Sequence, residues 1–206
     1  MIATEINSAT DNPLIFAHDG VHIEGGNFHG QPLALALDFL AIALAELASI
    51  AERRTDRLMQ GHAGLPKFLT RNGGLHSGMM IAQYSSAALV SENKVLAHPA
   101  SVDSVPTSAN QEDHNSMGSI AARKCFTVME HLRTVLAIEL LCGCQALDYQ
   151  HPLRGGDGVE AAWHKVRTLI DHRDADREMH IDIQMLTDML RTDTLLVAVR
   201  AVSLIQ

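Results

Sequence analysis

Residues 33–51 read LALALDFLAIALAELASIA, an apolar run interrupted only by Asp38 and Glu46. Leucines recur in and beside this run at alternating spacings of four and three residues, at Leu33, Leu37, Leu40, Leu44 and Leu47. That spacing predicts a long helix with a heptad-like seam, reaching to about residue 59. Pro32 stands where a first-turn proline belongs. Because the other faces carry Ala, Ile and Phe, we expect this helix inside a bundle or a subunit interface.

The same kind of pattern predicts further helices along the chain. They are expected at about 77–96 and 116–147, with two shorter ones near 158–172 and 181–192. Asp19-Gly20 is expected to join the short pieces 14–16 and 21–23 in a small hairpin. The sequence therefore predicts an all-α protein with a single helical domain over 1–206. Within it, 1–32 would form site loops, 33–150 a long-helix bundle core, and 151–206 short C-terminal helices.

Composition and charge narrow the class of protein. Apolar residues make up 47% of the chain but aromatic residues only 4%, so a core of Leu, Ala, Ile, Val and Met in closely packed helices is expected. The net charge is −8 and the basic residues form no patch, which argues against nucleic acid or an anionic membrane as a partner. Charges in the middle of 33–51 and 132–147 argue against membrane spans.

Cysteine usage predicts a cytoplasmic protein without a metal site. The three cysteines, Cys125, Cys142 and Cys144, are odd in number and show no disulfide spacing. Cys142 and Cys144 lie in an apolar helix without a second Cys or His pair nearby, so we expect buried structural thiols.

A long polar loop covers residues 98–118, HPASVDSVPTSANQEDHNSMG, between two apolar helices. Such a long loop in a compact helical chain is usually functional or disordered, and its varied composition favours a site loop on a rigid scaffold. His29, His98 and His114, with Asp103 or Asp113, are candidate metal ligands by residue type. Their spacing matches no known ligand set, so structural histidines are favoured and no metal is expected.

Several motifs resemble one family, the aromatic amino-acid ammonia-lyases and aminomutases. They are Asn-Ser-Ala-Thr-Asp-Asn-Pro-Leu (7–14), Gly-Gly-Asn-Phe-His-Gly (25–30), Glu-Arg-Arg (52–54), Ser-Glu-Asn-Lys (91–94), His-Pro-Ala-Ser-Val-Asp-Ser (98–104) and Asn-Gln-Glu-Asp-His-Asn-Ser-Met-Gly (110–118). Their order and spacing follow the family to about residue 190, and within it the chain is most similar to the histidine ammonia-lyases.

The resemblance implies the C-terminal part of the all-α, fumarase/aspartase-like ammonia-lyase fold and a homotetramer built around a central helix bundle. It also implies elimination of ammonia from an amino acid, here L-histidine to urocanate. The family's electrophile is 4-methylidene-imidazol-5-one, formed from an Ala-Ser-Gly tripeptide. The sequence contains no Ala-Ser-Gly, so no cofactor site is expected in this chain. An N-terminal partner chain would have to supply the electrophile, and the chain alone is expected to be inactive.

By the same resemblance, Glu112 aligns with the active-site acid of histidine lyases, where phenylalanine and tyrosine lyases tend to carry Gln. A carboxylate can accept the N–H bond of an imidazole and favour its charged form. The alternative is a solvated loop acid. Phe28 aligns with an aromatic residue that lines the substrate pocket, or is a core anchor. Asn12 and Gln111 are expected to bind substrate or to satisfy turns.

Two other functions stay open at this stage. The first is a different lyase or aminomutase specificity on the same scaffold, which the sequence allows because His76 stands where histidine lyases often carry Asn. The second is a non-catalytic oligomerisation or binding protein.

Glu139 interrupts the apolar segment 135–141 and is expected to find a partner such as Arg133.

Overall fold

The computed structural model describes residues 1–202. The chain order is α1 (Ile2–Ile6), β1 (Leu14–Phe16), β2 (Val21–Ile23), α2 (Gln31–Met59), α3 (Met80–Leu96), α4 (Gly118–Gln150), α5 (Asp157–Arg167), α6 (His180–Arg191) and α7 (Thr194–Arg200). Short 3-10 turns lie at Asn27–His29, Lys67–Leu69 and Ser108–Asn110. The two strands pair antiparallel, with Ile15 opposite His22.

The all-α prediction is confirmed, as are the five predicted helices and the hairpin at Asp19-Gly20. The helix boundaries differ from the predicted ones by up to five residues. α5 ends at Arg167, although the sequence pattern predicted a helix to about residue 172. Two short helices, α1 and α7, were not predicted. Both have fewer than eight residues, which is too short for a clear periodic signal.

The described chain forms two compact units. The first combines Met1–Ala45 with Lys94–Met129, and the second combines Glu46–Asn93 with the chain from Glu130 onward. The first unit has a small core in which Ala41, Cys125 and Val128 are buried. The second has a larger one that includes Leu69, Met79, Ile138 and Leu186. That the chain is a single domain stays a prediction.

The buried positions of α2 follow the predicted seam only in part. Its buried positions are Ala34, Asp38, Ala41, Ala48, Ala51, Glu52, Thr55 and Met59. Four of these eight positions, Ala34, Asp38, Ala41 and Ala48, lie one residue beyond a leucine of the predicted seam. The small alanine side chains let a neighbouring helix approach closely. Leu40 and Leu47 are instead 40% and 54% exposed. Leu37 and Leu44 of the predicted seam pack against the core of the first unit, so the leucine pattern identified the helix and part of the face that packs within the chain.

The exposed face of α2 is strongly apolar. Phe39 is 76% exposed, and Leu35, Ile42 and Ile50 are exposed as well. By length and composition alone, α2 would be long and apolar enough to cross a membrane. Its carboxylates at Asp38, Glu46 and Glu52 are costly in lipid, so we expect protein to cover this face.

A partly buried polar network ties α4 to α5 in the second unit. The Asp148 carboxylate accepts hydrogen bonds from Trp163 Nε1 at 2.7 Å, Arg167 Nη2 at 2.5 Å and His172 Nδ1 at 2.6 Å. Burial by itself raises the pKa of Asp148, but hydrogen bonds from Arg167, His172 and Trp163 outweigh it and hold the pKa below its ordinary value. The network therefore stabilises the fold when Asp148 is ionised.

The cysteines are reduced and buried, as predicted. Burial raises the pKa of Cys142 to about 12 and that of Cys144 to about 11. Thiols with such values stay protonated at neutral pH and are poor nucleophiles.

Candidate functional site

The start of the 98–118 loop is attached to α2 by one buried carboxylate. Asp38 is 3% exposed, and its Oδ2 accepts the backbone N–H groups of Ala100 and Ser101, each at 2.7 Å. Lys124 Nζ lies 3.1 Å from the other oxygen, Oδ1, and also donates to the carbonyl of His98. Asp38 and Lys124 thus fix residues 98–101 between α2 and the first turns of α4.

The charge on Asp38 is stabilised by these donors. Burial by itself raises the pKa of Asp38. The hydrogen bonds from Ser101 and the nearby Lys124 lower the pKa by a larger amount, so it lies below its ordinary value. Such a group stabilises the folded state above its unfolded pKa of about 3.9, and the contribution is lost as the pH falls through the folded pKa.

The middle of the loop folds back on itself. The backbones of Thr107 and Glu112 exchange hydrogen bonds of 3.0 and 3.3 Å. Asn115 Nδ2 donates to the Val105 carbonyl and to Thr107 Oγ1. These bonds close a tight turn over residues 107–112.

This turn is conformationally strained. Ser108, Ala109 and Asn110 have φ values of 52°, 54° and 69°, in the left-handed region that residues other than glycine rarely occupy. Strain of this kind costs about 1–3 kcal/mol per residue and clusters at functional sites. Gln111 and Glu112 follow the strained residues directly. Both are exposed, and neither side chain forms a hydrogen bond or ion pair within residues 1–202.

Asn12 and Phe28 belong to a second loop in the same unit. Asn12 Oδ1 accepts the backbone N–H of Gly25 at 2.9 Å, so Asn12 holds the start of the 25–30 segment. Phe28 lies in the 3-10 turn Asn27–His29 and is 43% exposed. Gly30, with φ of 75°, ends that turn and leads into α2. Phe28 is thus a half-exposed ring and not a buried core anchor within this chain.

His29 connects the two loops. Its ring lies 4.2 Å from the Phe28 ring and meets the His114 ring edge-on at 5.2 Å, measured between centroids. Its carbonyl accepts a hydrogen bond from Ser116 Oγ. The segment carrying Phe28 is therefore packed against the end of the segment carrying Gln111 and Glu112.

The structure thus brings together the loops of the predicted site residues, but not their side chains. Within residues 1–202, neither Gln111 nor Glu112 contacts Asn12 or Phe28 by a hydrogen bond or ring contact. All four side chains are exposed. In the same described range, no group of three His, Cys, Asp or Glu side chains is arranged to hold a metal ion.

Sequence reasoning missed the residues that position the 98–118 loop. Asp38 and Lys124 hold the loop start, and Asn115 and Ser116 hold its end. The one signal available for them was Asp38 itself, a lone carboxylate inside an apolar helix. Such a group has to find donors when it is buried.

A cavity in the second unit has few polar side chains that could bind or react with a substrate. It measures about 660 Å³ and is lined mainly by apolar side chains, among them Leu58, Leu140 and Trp163. Its one acidic side chain, Glu139, is paired with Arg54 Nη2 at 2.8 Å. The predicted partner was wrong: Arg133 pairs with Glu130, one turn away on its own helix.

Comparison with known proteins places these features in context. The model of the aromatic amino acid lyase family matches residues 1–168. The histidine ammonia-lyase of Symbiobacterium thermophilum is 57% identical over 200 residues, which is 97% of this chain and 39% of that protein. The histidine ammonia-lyase of Gloeobacter violaceus is 56% identical over 203 residues, covering 98% of this chain and 40% of that protein.

Solved structures agree with the fold. The histidine ammonia-lyase from Trypanosoma cruzi superposes with a TM-score of 0.91 at 50% identity, covering 96% of this chain and 39% of that one. The tyrosine aminomutase from Streptomyces globisporus gives a TM-score of 0.92 at 40% identity, covering 98% and 39%. The chain therefore has the all-α fold of these proteins and spans about two fifths of their length.

Replacing Asp38 tests the attachment of the site loop. Asp38→Asn keeps the shape but leaves Lys124 without its charged partner, so we expect the free energy of unfolding at neutral pH to fall by about 2–4 kcal/mol. Hydrogen exchange at the Ala100 and Ser101 amides should become faster. The control is Glu46→Gln, which removes an exposed carboxylate from the same helix.

The difference between wild type and Asp38→Asn should narrow in acid, as the pH falls through the lowered pKa of Asp38. Equal stability of Asp38→Asn and Glu46→Gln at neutral pH, with unchanged exchange at both amides, would show that Asp38 does not hold the loop.

Proposed function

The chain belongs to the aromatic amino acid lyase family, and on that basis we propose that it acts as the C-terminal part of a histidine ammonia-lyase. The reaction is the non-oxidative elimination of ammonia from L-histidine to give urocanate. The observation that carries the proposal is the identity of 52–58% to eight histidine ammonia-lyases over at least 90% of the chain. Acidic Glu112 in the strained 107–112 turn supports the same substrate.

Glu112 is the residue to which we assign recognition of the substrate side chain. Its carboxylate is exposed and forms no hydrogen bond or ion pair with residues 1–202, so it is available to accept the N–H of an imidazole. The strained residues Ser108, Ala109 and Asn110 fix the backbone that carries it. An ionised acceptor of this kind makes a stronger hydrogen bond than an amide would.

The other three predicted residues have supporting parts in this proposal. Phe28, half exposed beside His29, offers an aromatic wall to the substrate. Asn12 acts through the backbone, since its side-chain oxygen already accepts the N–H of Gly25. Gln111 adds an exposed amide next to Glu112. None of these groups has an obvious proton to exchange, so their proposed roles are binding and positioning.

The family's electrophile does not fit the residues of this chain. The 4-methylidene-imidazol-5-one group supplies an electron-poor carbon that captures the substrate amine, and it forms from Ala-Ser-Gly. No Ala-Ser-Gly occurs in the sequence, so the bond-breaking step cannot be assigned to this chain's own residues. We propose that it works in an assembly in which another polypeptide, or another segment, carries that tripeptide.

We further propose a cytoplasmic homo-oligomer, with a tetramer as the expected state. The exposed apolar face of α2 supports it, since Leu35, Phe39, Ile42 and Ile50 are large side chains on one face and each is 45% or more exposed. Three free, buried cysteines are consistent with a reducing compartment.

An aminomutase is the second candidate function. It is favoured by the likeness to the tyrosine aminomutase of Streptomyces globisporus, at a TM-score of 0.92 and 40% identity. The sequence identity to histidine ammonia-lyases is higher, so we rank the aminomutase function second. The product separates the two: an aminomutase gives a β-amino acid, whereas the lyase gives urocanate and free ammonia.

The role of Glu112 is tested in a chimera in which this chain replaces the matching part of the Symbiobacterium thermophilum enzyme. We expect the chimera to form urocanate from histidine and Glu112→Gln to lower kcat/KM at least about tenfold, since a charged hydrogen bond is lost. The matched control is Asp113→Asn, which removes the neighbouring exposed carboxylate and should stay within about twofold. Similar losses in both variants, or none in Glu112→Gln, would refute the assignment.

Self-association is tested by sedimentation equilibrium of the 206-residue chain. We expect an oligomer, and Phe39→Ser should shift it towards smaller species because it removes the most exposed apolar side chain of α2. Leu75→Ser, which alters an equally exposed residue outside the helices, serves as the control. A stable, folded monomer of the wild-type chain would argue against the proposed oligomer.

A further inference from the structure

A cavity of about 420 Å³ lies in the second unit, formed by residues at the start of α3 and by the segment that leads into α6. Its walls include Ser77, Ser85, Arg173 and His180. None of the residues proposed above for catalysis or substrate binding lines it. The size falls within the range of small-molecule sites, about 300–1,000 Å³.

Arg173 is buried at this cavity without a full set of partners. Its side chain is 5% exposed. Nη2 donates to the Arg177 carbonyl, but neither Nε nor Nη1 has a hydrogen-bond partner within the described residues. Burial, and then the charge of Arg177, lower the pKa of Arg173. Buried guanidinium groups are normally paired with an acceptor, since an uncompensated buried charge is costly.

The nearby carboxylates compensate Arg173 only in part: burial and the charge of Arg177 lower its pKa by more than the charges of Asp176 and Asp182 raise it. Asp176 comes no closer than 3.9 Å in its ion-pair contact with Arg173. Its two oxygens accept the backbone N–H groups of Ser77 at 2.7 Å and Gly78 at 3.0 Å. Asp182 is engaged by Arg177 at 2.7 Å. The nearest contacts of Asp176 and Asp182 are therefore with groups other than Arg173. A third acid that lines the cavity, Glu178, is exposed.

The beginning of α6 adds a second favourable feature for an anion. The twelve-residue helix starts at His180, and its N-cap residue, Met179, provides no side-chain hydrogen bond. Met179 and His180 both line the cavity. Backbone N–H groups at a helix start carry partial positive charge and favour a bound anion.

We propose that this cavity binds a small oxyanion, a carboxylate or a phosphate, through the guanidinium of Arg173. A guanidinium offers several charged N–H donors to the oxygens of such a group. The donors that the anion would use are Nε and Nη1 of Arg173, the two nitrogens that lack partners within the described residues, and the uncapped start of α6. Ser77 also lines the cavity, and its hydroxyl completes the proposed set of donors.

Isothermal titration of the 206-residue chain tests the site with two probes, inorganic phosphate and succinate, each against a chloride background. We expect saturable binding of one ion per chain for at least one probe. Arg173→Gln should weaken it at least about tenfold. The control Arg57→Gln removes an exposed arginine of α2 in the same unit and should leave the affinity unchanged.

Thermal unfolding gives a second readout. Without added anion, Arg173→Gln should raise Tm, because it removes a buried charge that the nearby carboxylates compensate only in part. With phosphate or succinate, wild type should gain Tm and Arg173→Gln should not. Ser85→Trp keeps Arg173 but fills the cavity from the exposed face of α3, and should abolish binding. Absence of saturable binding for both probes, or equal binding by wild type, Arg173→Gln and Ser85→Trp, overturns the proposal.

Discussion

The Asp38 carboxylate accepts the amides of Ala100 and Ser101 and lies beside the Lys124 ammonium, all in the first unit. Everything proposed for the 98–118 loop depends on this buried contact. An acid inside an apolar helix must find donors, and here the donors are backbone groups of the loop itself. The folding requirement of α2 thereby determines where the loop starts. The strained turn at 108–110 then determines where Gln111 and Glu112 emerge.

The apolar surface of α2 has two parts, one buried within the chain and one exposed. Small residues such as Ala34, Ala41 and Ala48 are buried within the chain. Larger ones such as Phe39 and Ile42 stay exposed. Small side chains suit close helix contacts, whereas large exposed ones supply apolar area for association. This division explains how a helix can be apolar almost all round in a chain whose own core is built on one face.

The sequence predicted the helices and the hairpin because both depend on local patterns. Leucine spacing, Pro32 and Asp19-Gly20 were enough for α2 and the β1–β2 turn. Pairings distant in the chain were beyond such patterns: Glu139 binds Arg54, 85 residues away, and not Arg133. The positive φ values at 108–110 were equally invisible, since Ser and Ala carry no left-handed signature. Glu112, Phe28, Asn12 and Gln111 were selected by family resemblance, because an exposed loop acid has no distinguishing local pattern.

The central claim is that the 107–112 turn presents Glu112 to an imidazole. A crystal structure of the chimera with the Symbiobacterium thermophilum enzyme, bound to histidine or urocanate, measures this directly. The account predicts a Glu112 carboxylate oxygen about 2.7–2.9 Å from an imidazole nitrogen. A ligand whose imidazole contacts other groups, with Glu112 turned to solvent, would contradict it.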